Sequence, residues 1–153
     1  MNIRVCTAGD VSLLAQLNRQ LIEDEHSDNA MTLPELEARM RWFLETEYTA
    51  YFFYEEGQVV GYALVRHTAQ PLYLRQFFIV REHRRKHYGK QAVALLLKTL
   101  NTQKIDIEVY TWNERGIRFW ESCGFRPRRG TGGDGSEYSA GDQSFSGAEE
   151  AGP

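Results

Sequence analysis

The most constraining feature is the run of residues 71–110. "PLYLRQFFIV" has the apolar and β-branched or aromatic character of a strand. The turn "REHRRKHYGK" follows, and then "QAVALLLKTL", a helical stretch without breakers. "KIDIEVY" alternates as a half-buried strand does. A strand, a helix and a strand in close succession must be stacked in layers, so the chain belongs to the α/β or α+β class.

The flanking segments extend that pattern. "IRVC" is a short β-like run, and Asp10 stands where an N-cap would precede Val11, Leu14, Leu17 and Leu21 at helical spacing. "TLPELEARMRWFL" opens with Thr32 and Glu35 at capping-box spacing and with Pro34 in the first turn. "TAYFFYEEGQVVGYALVRH" reads as a hairpin turning at Glu56-Gly57. "NERGIRFWESCGF" begins with a capping asparagine and ends at Gly124. The expected order is β-α-α-β-β-β-α-β-α-β. Residues 1–126 form the expected domain. Residues 127–153 change character to Gly, Ser and acid, and are expected to be a largely disordered tail with one weak strand around "SEYSA".

Net charge is −3, so the chain as a whole is not drawn to nucleic acid or membrane. Two cysteines, Cys6 and Cys123, form neither a disulfide framework nor a metal-ligand spacing, which suits a reduced compartment. No apolar stretch approaches the roughly 20 residues that span a bilayer, and "MNIRVCTAGD" lacks the apolar core of a secretory signal. A cytoplasmic protein with no membrane partner is expected.

Five positive charges between Arg81 and Lys90 stand out against this mildly acidic background. A helix starting after a Gly-containing turn exposes backbone N–H groups that, with the helix dipole, bind anions. Arginines and lysines beside it add charge-assisted contacts. The spacing fits neither Gly-x4-Gly-Lys-[Ser/Thr] nor Gly-x-Gly-x-x-Gly. Read from the residues alone, a diphosphate cradle and a solvated turn both stand. The turn reading leaves positive charges opposing a helix dipole. A nucleic-acid patch lacks basic residues spread over a face and aromatics other than Tyr88.

Two segments together resemble the GCN5-related N-acetyltransferase (GNAT) superfamily, over roughly residues 3–126. "FFIVREHRRKHYGKQAV" is similar to the family's acetyl-CoA motif, a strand followed by [Arg/Gln]-x-x-Gly-x-[Gly/Ala]. Arg84 matches its first position, His87 stands at its first glycine and Gly89 at its second. "NERGIRFWESCGF" is similar to Asn-x-x-Ala-x-x-Phe-Tyr-x-x-x-Gly-Phe, with Asn113, Phe119, Gly124 and Phe125 matching, Gly116 for Ala and Trp120 for Tyr. The resemblance implies a GNAT fold, a mixed central sheet flanked by helices, with acetyl-CoA as co-substrate. It implies that the backbone of Arg85, Lys86, His87, Tyr88, Gly89 and Lys90 faces the cofactor diphosphate beside Arg84. Phe78 and Ile79 would offer main-chain contacts to the pantetheine arm where the strand splays at a bulge, and Asn113 would approach from the last helix. Family members often dimerise, so a homodimer is compatible.

The departures bear on catalysis. His87 replaces a glycine, although His tolerates positive φ better than most residues. Trp120 replaces a tyrosine that many members use as general acid toward the thiolate. Tyr110 and Tyr73 are the alternatives. The strand carboxylate that some members use as base is absent, since Arg75 and Gln76 stand there. Glu108 on the next strand is the substitute. Glu23, Asp24, Glu25 and His26, between the first two helices, would form an acidic rim around the acceptor and favour a cationic amine. The expectation is an N-acetyltransferase moving acetyl directly to a primary amine of a small molecule or peptide, with a CoA-binding regulatory module as the alternative. Cys123, with no activating partner, is read as structural. A last sheet strand from this chain is poorly provided for, so a partner's strand or a shortened sheet is expected.

Overall fold

The computed structural model describes residues 1–83, 87–127 and 135–140. In chain order the elements are β1 Asn2–Val5, α1 Val11–Asp24, α2 Leu33–Glu45, β2 Tyr48–Glu55, β3 Gln58–Arg66, β4 Leu72–Ile79, α3 Tyr88–Leu100, β5 Ile105–Tyr110, α4 Glu114–Ser122, β6 Arg126–Pro127 and β7 Gly135–Ala140. Single 3-10 turns precede α1 and follow β4. The sheet order is β1-β2-β3-β4-β5-β7-β6, with β4 and β5 parallel and the other pairs antiparallel. This is the mixed α/β sheet expected of the GNAT fold. No helix among the described residues is long and apolar enough to cross a membrane.

Local chemistry explains the boundaries. At α2, Thr32 Oγ1 accepts from the Glu35 N–H at 3.3 Å, and the Thr32 N–H donates to Glu35 Oε1 at 2.8 Å. This reciprocal box satisfies two otherwise unpartnered helix-start donors. Asp10 behaves differently from expectation. It precedes α1 but makes no side-chain cap there. Its carboxylate closes the preceding turn on the Thr7 N–H and accepts from both Nη nitrogens of Arg4. The β2–β3 hairpin turns on Glu56 and Gly57, at φ 51° and 80°, the paired positive φ that a tight two-residue hairpin requires.

Alternate residues of the sheet feed two cores. Tyr51, Phe53, Ala63, Val65, Ile105 and Ile107 pack with α3 and α4. Ala50, Phe52, Tyr62, Leu64 and Phe78 pack with α1 and α2. The last strand is the weak one expected around "SEYSA", so the chain supplies it itself in place of a partner's strand or a shortened sheet. β7 pairs with β5 along its whole length, from Ile105↔Ala140 to Tyr110↔Gly135. Ser139 Oγ donates to Asp106 Oδ1 at 2.7 Å, fastening the two. The rest of the tail lies outside the described residues.

One irregularity positions everything that follows. Leu64 pairs with Gln76 and Val65 with Leu74, so Arg75 is an extra residue in β4. A bulge of this kind bends the strand and increases its twist. β4 pairs with β5 only over Leu72–Leu74 against Ile105–Ile107. Beyond that point the two strands part.

The β3–β4 contact next to the slot leaves no room for a side chain at Gly61. A Cβ there would lie 2.4 Å from the Phe78 carbonyl oxygen and 2.9 Å from Ile79 Cδ1. Gly61→Ala is expected to cost about 1–3 kcal/mol, read as a lowered urea midpoint. An unchanged midpoint would mean that the strands separate freely here.

Candidate active site

The parting of β4 and β5 opens a cleft of about 410 Å³ on the sheet. Its floor is Phe77 and Trp120, and its sides are β4, β5 and the end of α1. The bulge turns Arg75 and Gln76 to the same face. Arg75 lies over the Phe43 ring at 4.9 Å, and Gln76 Oε1 accepts from the buried Tyr62 hydroxyl at 2.8 Å.

Glu25 enters this cleft from the end of α1, directly after the helix. Burial, with the nearby Asp24 charge, raises its carboxyl to about 7. Its three neighbours behave otherwise. Glu23 and Asp24 turn to Arg81, at 3.1 and 3.0 Å from its Nη2. His26 is exposed, at φ 52°. Of the expected rim of four only Glu25 lines the cleft, while Glu23 and Asp24 share the single positive charge of Arg81. Arg81 follows β4 directly, so this pairing also ties the end of α1 to the end of the strand.

Beside Glu25 lies a polar network that sequence patterning missed. Arg39 Nη2 donates to Oδ1 of the buried Asn18 at 3.1 Å. Tyr62 is fully buried, which pushes its hydroxyl far above the usual range. Asn18 had a visible signal: it stands four residues after Leu14, within the apolar stripe of α1. A polar residue in such a stripe must find a buried partner. Arg39 had none, because its partner is twenty-one positions away.

Glu108 and Tyr110 both line the cleft. Glu108 Oε1 accepts from the Tyr73 hydroxyl at 3.0 Å. Burial and the Glu108 charge push Tyr73 up, which leaves it a poor proton donor. Tyr110 stacks on Trp112 at 4.6 Å, and Trp112 Nε1 donates to the Glu25 carbonyl at 3.4 Å. Trp120 packs edge-on against Phe77, Phe119 and Phe125 and is nearly buried. Both cysteines are buried, which pushes Cys6 up to about 12 and Cys123 up to about 11. Neither is a ready nucleophile.

The start of α3 lies past the end of β4. His87 precedes the helix at φ 61° and ψ 19°, a left-handed conformation, and is exposed. Arg84, Arg85 and Lys86 lie outside the described residues. A Cβ on Gly89 would meet the Phe119 ring at 2.8 Å, so glycine lets α3 close on α4. Asn113 caps α4: its Oδ1 accepts from the Gly116 N–H at 3.0 Å. A Cβ on Gly116 would lie 2.5 Å from that side chain's Nδ2, so alanine here would require the Asn113 amide to shift.

The profile of the Acetyltransferase (GNAT) family matches residues 15–125. The chain is a GNAT acetyltransferase. Curated protein sequences give no match. Among solved structures, an acetyltransferase from Thermus thermophilus is similar at 18% identity and TM-score 0.75, over 91% of this chain and 96% of that one. The spermidine N-acetyltransferase from Vibrio cholerae in complex with CoA and spermine is similar at 17% identity and TM-score 0.68, over 90% and 92%. PaiA N-acetyltransferase from Thermoplasma acidophilum in complex with coenzyme A is similar at 14% identity and TM-score 0.67, over 93% and 100%. At these identities the structural likeness establishes a shared fold.

The backbone at position 87 of this acetyltransferase adopts the conformation that favours glycine, at about 1–2 kcal/mol for most other residues. His87→Gly is expected to fold with stability within about 1 kcal/mol of the parent, because relieved strain offsets added unfolded-state entropy. His87→Val is expected to lose about 1–2 kcal/mol. Equal thermal midpoints for the two variants would show that the turn relaxes.

Proposed function

We propose that this acetyltransferase uses acetyl-CoA to acetylate a primary amine of a small molecule or peptide by direct transfer, with Glu25 as the general base. The raised carboxyl of Glu25 inside the cleft carries this reading. An alkylammonium must lose a proton before it can attack, and a base poised near neutrality is suited to take it. Glu108 is less suited, because Tyr73 already occupies one of its oxygens.

The parting of β4 and β5 fits the cofactor. The Phe78 and Ile79 main chain, beyond the last β4–β5 pair, would line the arm as an added strand does. The first turn of α3, at Tyr88, Gly89 and Lys90, would present backbone N–H groups to the diphosphate, with His87 in the preceding turn. Arg84, Arg85 and Lys86 would add contacts from the same loop, and Asn113 from the start of α4. When bound, acetyl-CoA supplies the acetyl group as an activated thioester. The residues of this chain orient the amine, remove its proton at Glu25 and line the slot against water. Tyr110, whose hydroxyl makes no side-chain hydrogen bond among the described residues, would return a proton to the departing thiolate.

A regulatory CoA-binding module is the second reading, favoured by the packing role of Trp120. Thiol release with an amine panel separates the two. Sustained release with an amine supports the enzyme; binding of acetyl-CoA without release supports the module. Tyr110→Phe is expected to lower kcat by roughly tenfold or more, and an unaltered kcat would leave the thiolate departing unaided.

Glu25→Gln is expected to lower kcat by roughly 10²-fold or more and to remove a rise in kcat/KM near pH 7. Folding raises this carboxyl from 4.5 to about 7, so the folded chain holds the proton more tightly. Its contribution to stability is therefore complete below about pH 4.5 and is lost as pH rises through about 7. The Glu25→Gln thermal midpoint should gain on the parent at pH 8 and not at pH 4.5. A variant that keeps the pH-dependent rise would remove Glu25 from the role.

A further inference from the structure

We propose that the acceptor is a small zwitterion carrying a carboxylate as well as its amine, bound between Glu25 and the pair Arg39 and Arg75. This rests on the acetyltransferase reading above and names the acceptor class for the same cleft. The cleft is bipolar. Arg39 and Arg75 line it together with Glu25. Both guanidiniums lie against one ring, that of Phe43, at 5.4 and 4.9 Å. Two like charges are thus held close together, in part by cation–π attraction.

Neither arginine has a carboxylate partner among the described residues. Arg39 donates to the neutral Asn18 amide and Arg75 to the neutral Tyr48 hydroxyl. The contrast within the molecule is plain: Arg4, Arg66 and Arg81 each pair with an acid. Arg39 is half-buried, and burial and Arg75 together weaken its hold on its proton. Leaving a partly buried guanidinium beside another without an anion is costly, and an incoming carboxylate would relieve both.

Glu25 does not perform that task. It forms no ion pair with either arginine among the described residues, and its carboxyl is raised instead of lowered. Yet Glu25 and Arg39 both act electrostatically on the same buried Tyr62 hydroxyl. Opposite charges therefore stand near one another without meeting. An acceptor with its ammonium toward Glu25 and its carboxylate toward Arg39 and Arg75 satisfies both, and a polycation satisfies only the first. A free amino acid or a short peptide fits this description; spermidine does not. The acids that would have attracted a polyamine, Glu23 and Asp24, lie outside the cleft and have half their charge offset by Arg81.

The test is initial-rate thiol release from acetyl-CoA with three acceptor sets: free amino acids and dipeptides, the same compounds with the carboxyl amidated, and spermidine. Acetyl-CoA binding is followed separately by calorimetry. The free-carboxylate set is expected to exceed the amidated set in kcat/KM by roughly 10- to 100-fold, the worth of a charge-assisted contact. Arg39→Gln and Arg75→Gln are expected to collapse that ratio toward unity, chiefly through KM, with Arg39→Lys restoring part of it. Two arginine variants guard against one failing to fold. If amidated amines or spermidine are acetylated as well as the carboxylates, the zwitterion inference falls and the acetyltransferase reading stands. If acetyl-CoA binds and no amine in any set releases thiol, both fall.

Discussion

The cleft of this chain depends on one mismatch in the sheet. β4 carries one residue more than β3 between Leu74 and Gln76, and that residue is Arg75. The bulge bends β4 away from β5 after three residue pairs. Sheets lose stability where neighbouring strands part, because ladder hydrogen bonds are given up. Here β7 limits that loss by pairing with β5 along its whole length. The slot is thus a local opening in a sheet that remains continuous on both sides.

The bulge also sets the chemistry of the slot. In a regular strand Arg75 and Gln76 would point to opposite faces. With the extra residue, Gln76 reaches Tyr62 while Arg75 lies over Phe43. One backbone irregularity therefore opens the cleft and brings a guanidinium and a carboxamide to the α1/α2 side. Glu25 arrives there because α1 ends beside the strand, where Arg81 ties Glu23 and Asp24. Three consecutive acids so acquire different fates: two are held by an arginine, and one is half-buried with a raised affinity for its proton.

How far the sequence carried the reading differs residue by residue. The helices were legible because their signals are local: Thr32 and Glu35 are three positions apart, as are Asn113 and Gly116. Asp10 misled because several donors lie within reach of its carboxylate, and spacing alone does not say which of them it takes. Arg4 and the Thr7 amide draw its carboxylate away from α1. The last strand was only weakly legible because "GSEYSA" has little apolar content, and its place comes from the open edge of β5 rather than from propensity.

By itself the sequence determined the layered α/β class, the order of elements around the central strand–helix–strand unit, and the family. Periodicity, caps and the two family motifs are all short-range, so they survive without coordinates. Only the tertiary structure decided which charges meet. Asn18 and Arg39 are brought together by helix packing, and Glu25 is separated from Asp24 by the burial of one carboxyl and the pairing of the other. The affinity of a carboxyl for its proton depends on burial and on neighbours remote in the chain. Those are properties of packing, and no spacing of residues along the sequence contains them.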